Sequence, residues 1–338
     1  MAELRVAAVQ MDAPVGEVEA NLARAQALVE EGAKGGAQLV VLPELFNTGY
    51  EYTDRNFDLA EPVDGRTGSW IVDTARRLAV HLLGTFAARF NGKAYITAML
   101  AAPDGRRWFY RKVHVALWEN CYFGRGPGAV VADTDLGRIG LLICWDEVFA
   151  DLARAYQGQV DLLCIPSSPP TYAGTVEDGE GRVLAELPRL RSLGRDLDGV
   201  DWFRRAQEIQ ARSAGVPLVY AARCGEFHSP IPYGLPFLSM LKPGEMVGVL
   251  RAVGTGYWLR STLAGRSCIL DGQGARLAST GQEGEAVLLA TVETGAPDRA
   301  TLPAVGKGRS LVPGIPGFQF LFDDIMIALG RRYRRRWK

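Results

Sequence analysis

Apolar residues in this chain run first at consecutive or alternate positions, then at helical spacing, and each change of period marks a new element. "LRVAAVQM" (4–11) is a strand; "EVEANLARAQALVEEGAKGG" (17–36) places Val18, Leu22, Ala25 and Val29 on one helical face and ends in glycines. "AQLVVLPE" (37–44) is a second strand, which makes a βαβ unit with its helix laid on one face of a parallel pair. A loop rich in Tyr, Asp and Gly (47–65) leads to a helix carrying Trp70, Ile71, Thr74 and Leu78. Three strands follow at 81–90, 93–102 and 106–115, joined by the turns "FNGKA" and "PDGRR".

A strand pair over 129–143 ends on Cys144, and "DEVFADLARAY" (146–156) then repeats its apolar residues as a helix does. The pattern continues with a strand at 160–168, a helix near 199–214, a strand at 216–225, a hairpin at 266–279 and a strand at 284–293. Strands interleaved with helices and several hairpins predict mixed sheets covered by helices, an α/β fold. Segments 171–200 and 226–256 stand outside this plan as insertions, of the kind that form lids or contact surfaces. The chain therefore divides into a domain over 1–295 and an extension over 296–338. The extension's "GFQFLFDDIMIALGRRYRRRWK" predicts a helix with Phe318, Leu321, Phe322, Ile325 and Leu329 on one side and a basic end.

Composition narrows the class. Lys plus Arg equals Asp plus Glu at 38 each in 338 residues, so no overall charge favours nucleic acid or an anionic membrane. The N-terminus lacks a basic segment followed by a long apolar one, and no apolar run is long enough to span a bilayer. Five cysteines, odd in number and mostly within apolar runs, argue against a disulfide framework and fit a reducing cytoplasm. GxSxG, Walker, HExxH and zinc-type spacings are missing, so the motifs of other enzyme classes do not compete.

The chemistry collects at strand ends, where an open α/β sheet gathers its site. Cys144 stands where a doubly apolar strand gives way to a helix, a junction whose backbone amides can receive an anion. Glu44 follows Pro43 at the end of one strand, and Lys112 lies at the end of another, with Glu119 seven residues on. A thiol attacks a carbonyl or nitrile carbon, a carboxylate moves its proton, and an ammonium holds the charge that develops on oxygen or nitrogen. Crowding by Glu119 is expected to raise the Glu44 pKa, and Lys112 is expected to favour the Cys144 thiolate.

On "LVVLPELFNTGY", "YRKVHV" and "GLLICWDEVF" the sequence resembles the carbon–nitrogen hydrolases of the nitrilase superfamily, from residue 4 to about 293. The resemblance implies a four-layer α-β-β-α sandwich, assembly into a homodimer or larger oligomer, and a Glu44–Lys112–Cys144 triad with Glu119 as an additional structural acid. It also implies an oxyanion site from Lys112 and the backbone amide of Trp145, with no cofactor. There are departures: Gln210, Ser213, Ala214 and Ala222 replace residues of a motif that many amide-hydrolysing members carry, and "FAD" (149–151) lacks that family's proline. Tyr50, Trp118 and Tyr172 are candidates to line the substrate pocket.

The reading is of an amidohydrolase that cleaves a small amide or carbamoyl group through a Cys thioester, with nitrile hydrolysis as the second choice. A papain-like pair using His114 as base is a third. A non-catalytic binding protein on the same scaffold is a fourth, with the basic residues of 331–338 reaching an acidic surface. Cys164 and Cys268 are read as packing residues, and Cys121 and Cys224 as lesser candidates for redox sensitivity.

Overall fold

The computed structural model describes residues 2–187, 191–192, 195–196, 199–233, 256–295 and 297–337. Two six-membered runs of strands dominate it. In the first sheet, the order across is Ala286–Thr294, Ala2–Gln10, Leu39–Val41, His81–Phe90, Lys93–Ala101 and Arg107–Arg111, with the short Glu61–Pro62 pairing at the side. Its Ala2–Gln10, Leu39–Val41 and His81–Phe90 strands are parallel, as the βαβ pattern requires, and hairpins supply the antiparallel edge. The second sheet runs Arg276–Ser279, Cys268–Leu270, Leu218–Ala222, Leu162–Ser167, Gly137–Leu141 and Val131–Thr134.

Alternation along the strands divides the core into layers. In the strand Ala2–Gln10, Val6 and Ala8 point inward to a core shared with Ile139, Leu141, Leu163 and Val219 of the other sheet. Ala7 and Val9 point outward and pack with Leu22, Ala25, Val29, Ile71 and Ala75. These last five belong to the helices Val18–Lys34 and Arg66–Leu78, which cover the first sheet. The helices Ala150–Tyr156 and Gly199–Ala214 lie beside the second sheet. The result is the four-layer α-β-β-α sandwich.

The predicted insertions are partly sheet. Pro170–Asp178 and Val183–Leu187 pair with Glu226–Pro230 and Tyr257–Leu263 in a separate four-stranded antiparallel sheet. Residues 199–200 belong to the helix Gly199–Ala214 rather than to an insertion, and 234–255 lie outside the described residues. The strand expected to run through 115 stops at Arg111, because the amides of Val113 and His114 turn from the ladder to the Asp146 carboxylate. The helix expected from 146 begins as a 3-10 turn, Cys144–Val148, and becomes an α-helix only at Ala150–Tyr156.

The extension folds back on the domain. Helix Gly317–Arg334 lies on the 3-10 turn Leu117–Cys121, and a Cβ on Gly330 would come within 1.9 Å of the Asn120 carbonyl oxygen. Only glycine permits that approach. Among the described residues, no helix is long and apolar enough to cross a membrane.

Candidate active site

Glu44, Lys112 and Cys144 converge between the two sheets, each just past a strand end. The Glu44 turn is tied to both: its N–H donates to the Ser167 carbonyl (3.3 Å), and its carbonyl accepts from Ser168 Oγ (2.7 Å). Thr85 of the first sheet accepts from the Leu45 N–H at 2.7 Å and donates to the Pro43 carbonyl. Asp146 performs the same task for the other two residues. Its carboxylate accepts from the amides of Val113, His114 and Ile143 and from the Tyr110 hydroxyl, so one buried side chain joins the Lys112 segment to the Cys144 turn. Cys144 has φ 49°, in the left-handed region that non-glycine residues rarely enter; Leu45, Leu117 and Tyr172 around it also have positive φ. Such strain persists only where surrounding contacts hold it.

Lys112 Nζ lies 2.8 Å from Glu44 and within 2.9 Å of both oxygens of Glu119, with all three side chains at most 1% exposed. Burial opposes the ammonium, but the carboxylates of Glu119 and Glu44 outweigh it and hold the Lys112 pKa well above its ordinary value. Glu44 is pushed up to about 7, first by burial, with Lys112 pulling the other way and Glu119 adding to the rise. Its Oε1 takes the Lys112 bond, while Oε2 is buried without a hydrogen-bond partner. Burial also drives the Cys144 thiol upward, and the Glu44 charge reinforces it. Lys112 pulls the thiol downward, the direction expected of it, but burial and the Glu44 charge outweigh that pull.

Glu119 is fixed in turn. It accepts from the Ala116 amide (2.8 Å) and from the Tyr50 hydroxyl; Tyr52 lies 3.3 Å from the Tyr50 oxygen, and Tyr172 3.2 Å from that of Tyr52. This chain of hydroxyls leads from the buried acid to the wall of a cleft of about 50 Å³. Cys144, Trp145, Glu119, Tyr50 and Tyr172 line it, together with Trp202, Phe203, Pro169 and Gln319. Trp118 does not reach the cleft: it is fully buried, donates Nε1–H to the Tyr233 carbonyl at 3.0 Å, and packs behind Tyr172. His114 is turned elsewhere, stacked on Phe149 at 3.6 Å with Nε2 3.1 Å from Asp151, which supports no papain-like pair with Cys144. Where the family's usual motif is replaced, Gln210 donates to the Glu147 carbonyl at 2.8 Å and so braces the Cys144 turn.

Asp323, in the extension, was not singled out from the sequence. It accepts from the Trp145 indole (3.0 Å) and from the Leu117 amide (3.3 Å), linking the segment after Cys144 to the segment between Lys112 and Glu119. It is 2% exposed, and burial raises its pKa to about 6. Asp323→Ala leaves two buried donors without an acceptor, at about 1–3 kcal/mol each. We expect kcat to fall about tenfold and thermal stability to drop, measured by steady-state kinetics and a melting curve. Wild-type values for both would remove Asp323 from this role. Among the described residues, no group of three or more His, Cys, Asp or Glu is arranged to hold a metal.

This fold, with an acid, an amine and a thiol buried together at the strand ends, defines a hydrolase-type scaffold that comparison identifies. The carbon-nitrogen hydrolase family model matches residues 5–296, and the chain belongs to that family. A nitrilase of Pyrococcus abyssi is 36% identical over 155 residues, 45% of this chain and 59% of that protein. An omega-amidase of Danio rerio is 33% identical over 168 residues, 46% of this chain and 60% of that protein; the matched stretch thus spans about three fifths of these relatives' length. A citrullinase of Francisella tularensis is 29% identical over 258 residues, 71% of this chain and 82% of that protein. Among solved structures, a CN-hydrolase superfamily protein from Xanthomonas campestris superposes with a TM-score of 0.63 at 19% identity, over 87% of this chain and 91% of that one. An amidase from Nesterenkonia sp. AN1 superposes at 0.62 and 20% identity, over 88% of this chain and 91% of that one.

Proposed function

We propose that the protein hydrolyses the C–N bond of a small, uncharged primary amide through a thioester on Cys144. The observation that carries this reading is the Glu44 carboxylate, buried, with Lys112 on Oε1 and the Cys144 thiol beside it. The thiol S–H is the donor next to that carboxylate, which is thus placed to receive the Cys144 proton and pass it to the leaving nitrogen. In the first step Sγ bonds to the carbonyl carbon as its proton passes to Glu44. The oxygen takes the charge, held by Lys112 Nζ and the Trp145 amide, which precedes the first hydrogen bond of its 3-10 turn, Asp146 N–H to Ile143 O. Glu44 then returns the proton to nitrogen, the C–N bond breaks, and ammonia leaves. Water, deprotonated by Glu44, attacks the thioester; the acid departs and Cys144 regains its proton.

The cleft's described lining is aromatic and aliphatic, with Glu119 as its one charged residue. A carboxylate or ammonium on the acyl group would be desolvated there without a counter-charge, at a cost of several kcal/mol. Ammonia release from a panel of amides, carbamoyl compounds and nitriles tests the reading. Short neutral amides should exceed carboxylate-bearing amides of equal length by about tenfold or more in kcat/KM, an effect of about 1.4 kcal/mol. Because the base must be ionised, kcat/KM should also rise with pH and level off above about 7. Preference for nitriles, or an acid limb near 4.5, would contradict this assignment.

A further inference from the structure

On the far side of the turn Leu117–Cys121 from the cleft, the basic end of the chain is neither extended nor solvated on all sides. It closes a cavity of about 550 Å³, in the size range of small-molecule sites. Arg331, Arg334 and Arg335 of the C-terminal segment face Arg89 and Lys93 of the first sheet's hairpin and Arg125 of the loop after Glu119. Asp58 is the one carboxylate among the lining residues. Two of the cations are held by main-chain carbonyls rather than neutralised: Arg89 Nη2 donates to Phe57 (2.7 Å) and Ala60 (3.1 Å), and Arg125 Nε donates to Val113 (2.8 Å). Arg334 Nη1 is buried with no acceptor, and burial together with the neighbouring Arg331 disfavours its charge. Six cations around one hollow, with one buried guanidinium N–H left unsatisfied, form a site that an anion would complete.

We propose that this cavity binds a phosphate-bearing small molecule with at least two phosphate groups, nucleotide-sized and distinct from the amide substrate. Guanidinium forks match phosphate oxygens in pairs. Phe57 and Tyr95, half-buried in the lining, offer faces for an attached ring. Because Arg331 and Arg334 share a helix with Asp323, occupancy also fastens the element that bonds Trp145 and Leu117.

The test is calorimetric titration of the full chain with pyrophosphate and with ATP, against sodium chloride of equal ionic strength; it does not depend on turnover. Saturable binding of either phosphate probe is expected, with ATP tighter if the aromatic faces engage a base. Lys93 and Arg331 are exposed, so Lys93→Ala with Arg331→Ala should fold normally and weaken binding about a hundredfold, about tenfold per lost cation. Hydrogen exchange over 325–334 should slow on binding. Heats reproduced by sodium chloride, unchanged affinity in the double variant, unchanged exchange over 325–334, or binding of single-stranded RNA without saturable pyrophosphate binding would each overturn the proposal.

Discussion

Cys144→Ala is expected to lower kcat by about 10⁴-fold or more while the protein melts within a few degrees of the wild type. Among the described residues lining the cleft, the Cys144 sulfur is the thiol beside Glu44, and on the proposed mechanism no neighbouring group replaces it. Stability should survive for a separate reason. The cost of φ 49° at this residue is borne by the backbone, and alanine bears the same cost as cysteine. Removing the thiol also removes a buried group whose ionisation the site opposes. Steady-state turnover and a melting curve on the same preparation check both halves.

Lys112→Met is expected to damage both activity and stability. Methionine fills much the same volume, but the ammonium it replaces is fully buried between Glu44 and Glu119. Two carboxylates are then left facing each other without compensation, at about 3–5 kcal/mol. For a domain of this size that is a melting temperature lower by about 5–10 °C. The loss should depend on pH with a definite sign. Without the ammonium that pulls it down, the folded pKa of Glu44 would rise further above the ordinary carboxylate value, so the protonated, folded state is favoured at low pH and the penalty grows as pH rises. Glu44, already at about 7 with the ammonium present, places the steepest change near and above neutrality. Turnover should fall about 10³-fold at high pH, since the charge on the oxyanion loses its cation, and further at lower pH, since the Glu44 base is then protonated over a wider range. Melting curves between pH 5 and 8.5 check the sign, and a penalty that shrank with rising pH would contradict it.

Much of the fold was legible because periodicity is a local signal. Val6 and Ala8 facing one core, with Ala7 and Val9 facing another, follow from alternation, and the face of Val18–Lys34 follows from helical spacing. The three strand-end residues were legible for a related reason: a charged or nucleophilic side chain directly after an apolar strand stands out. Asp146 was not, although it joins two of them, because its bonds reach amides more than thirty residues away and leave no periodic trace. Asp323 is further still, 178 positions from Trp145. Trp118 was expected to line the pocket, yet the 3-10 turn Leu117–Cys121 directs it into the core. The small third sheet was hidden because "TYAGTVED" reads as polar and Gly-rich, and its partner Tyr257–Leu263 begins just beyond the segment marked as an insertion.

The basic tail illustrates the same limit. The sequence marks only a helix with a basic end, whereas the close approach at Gly330 seats that helix on the Leu117–Cys121 turn and brings its arginines to a cavity.

The most direct test of the account is intact-mass analysis of enzyme quenched during turnover of a short primary amide, followed by peptide mapping. The expected result is one added acyl group on the peptide that contains Cys144, absent from Cys144→Ala. Turnover with no acyl group ever carried on that sulfur, or the adduct on another residue, would contradict it.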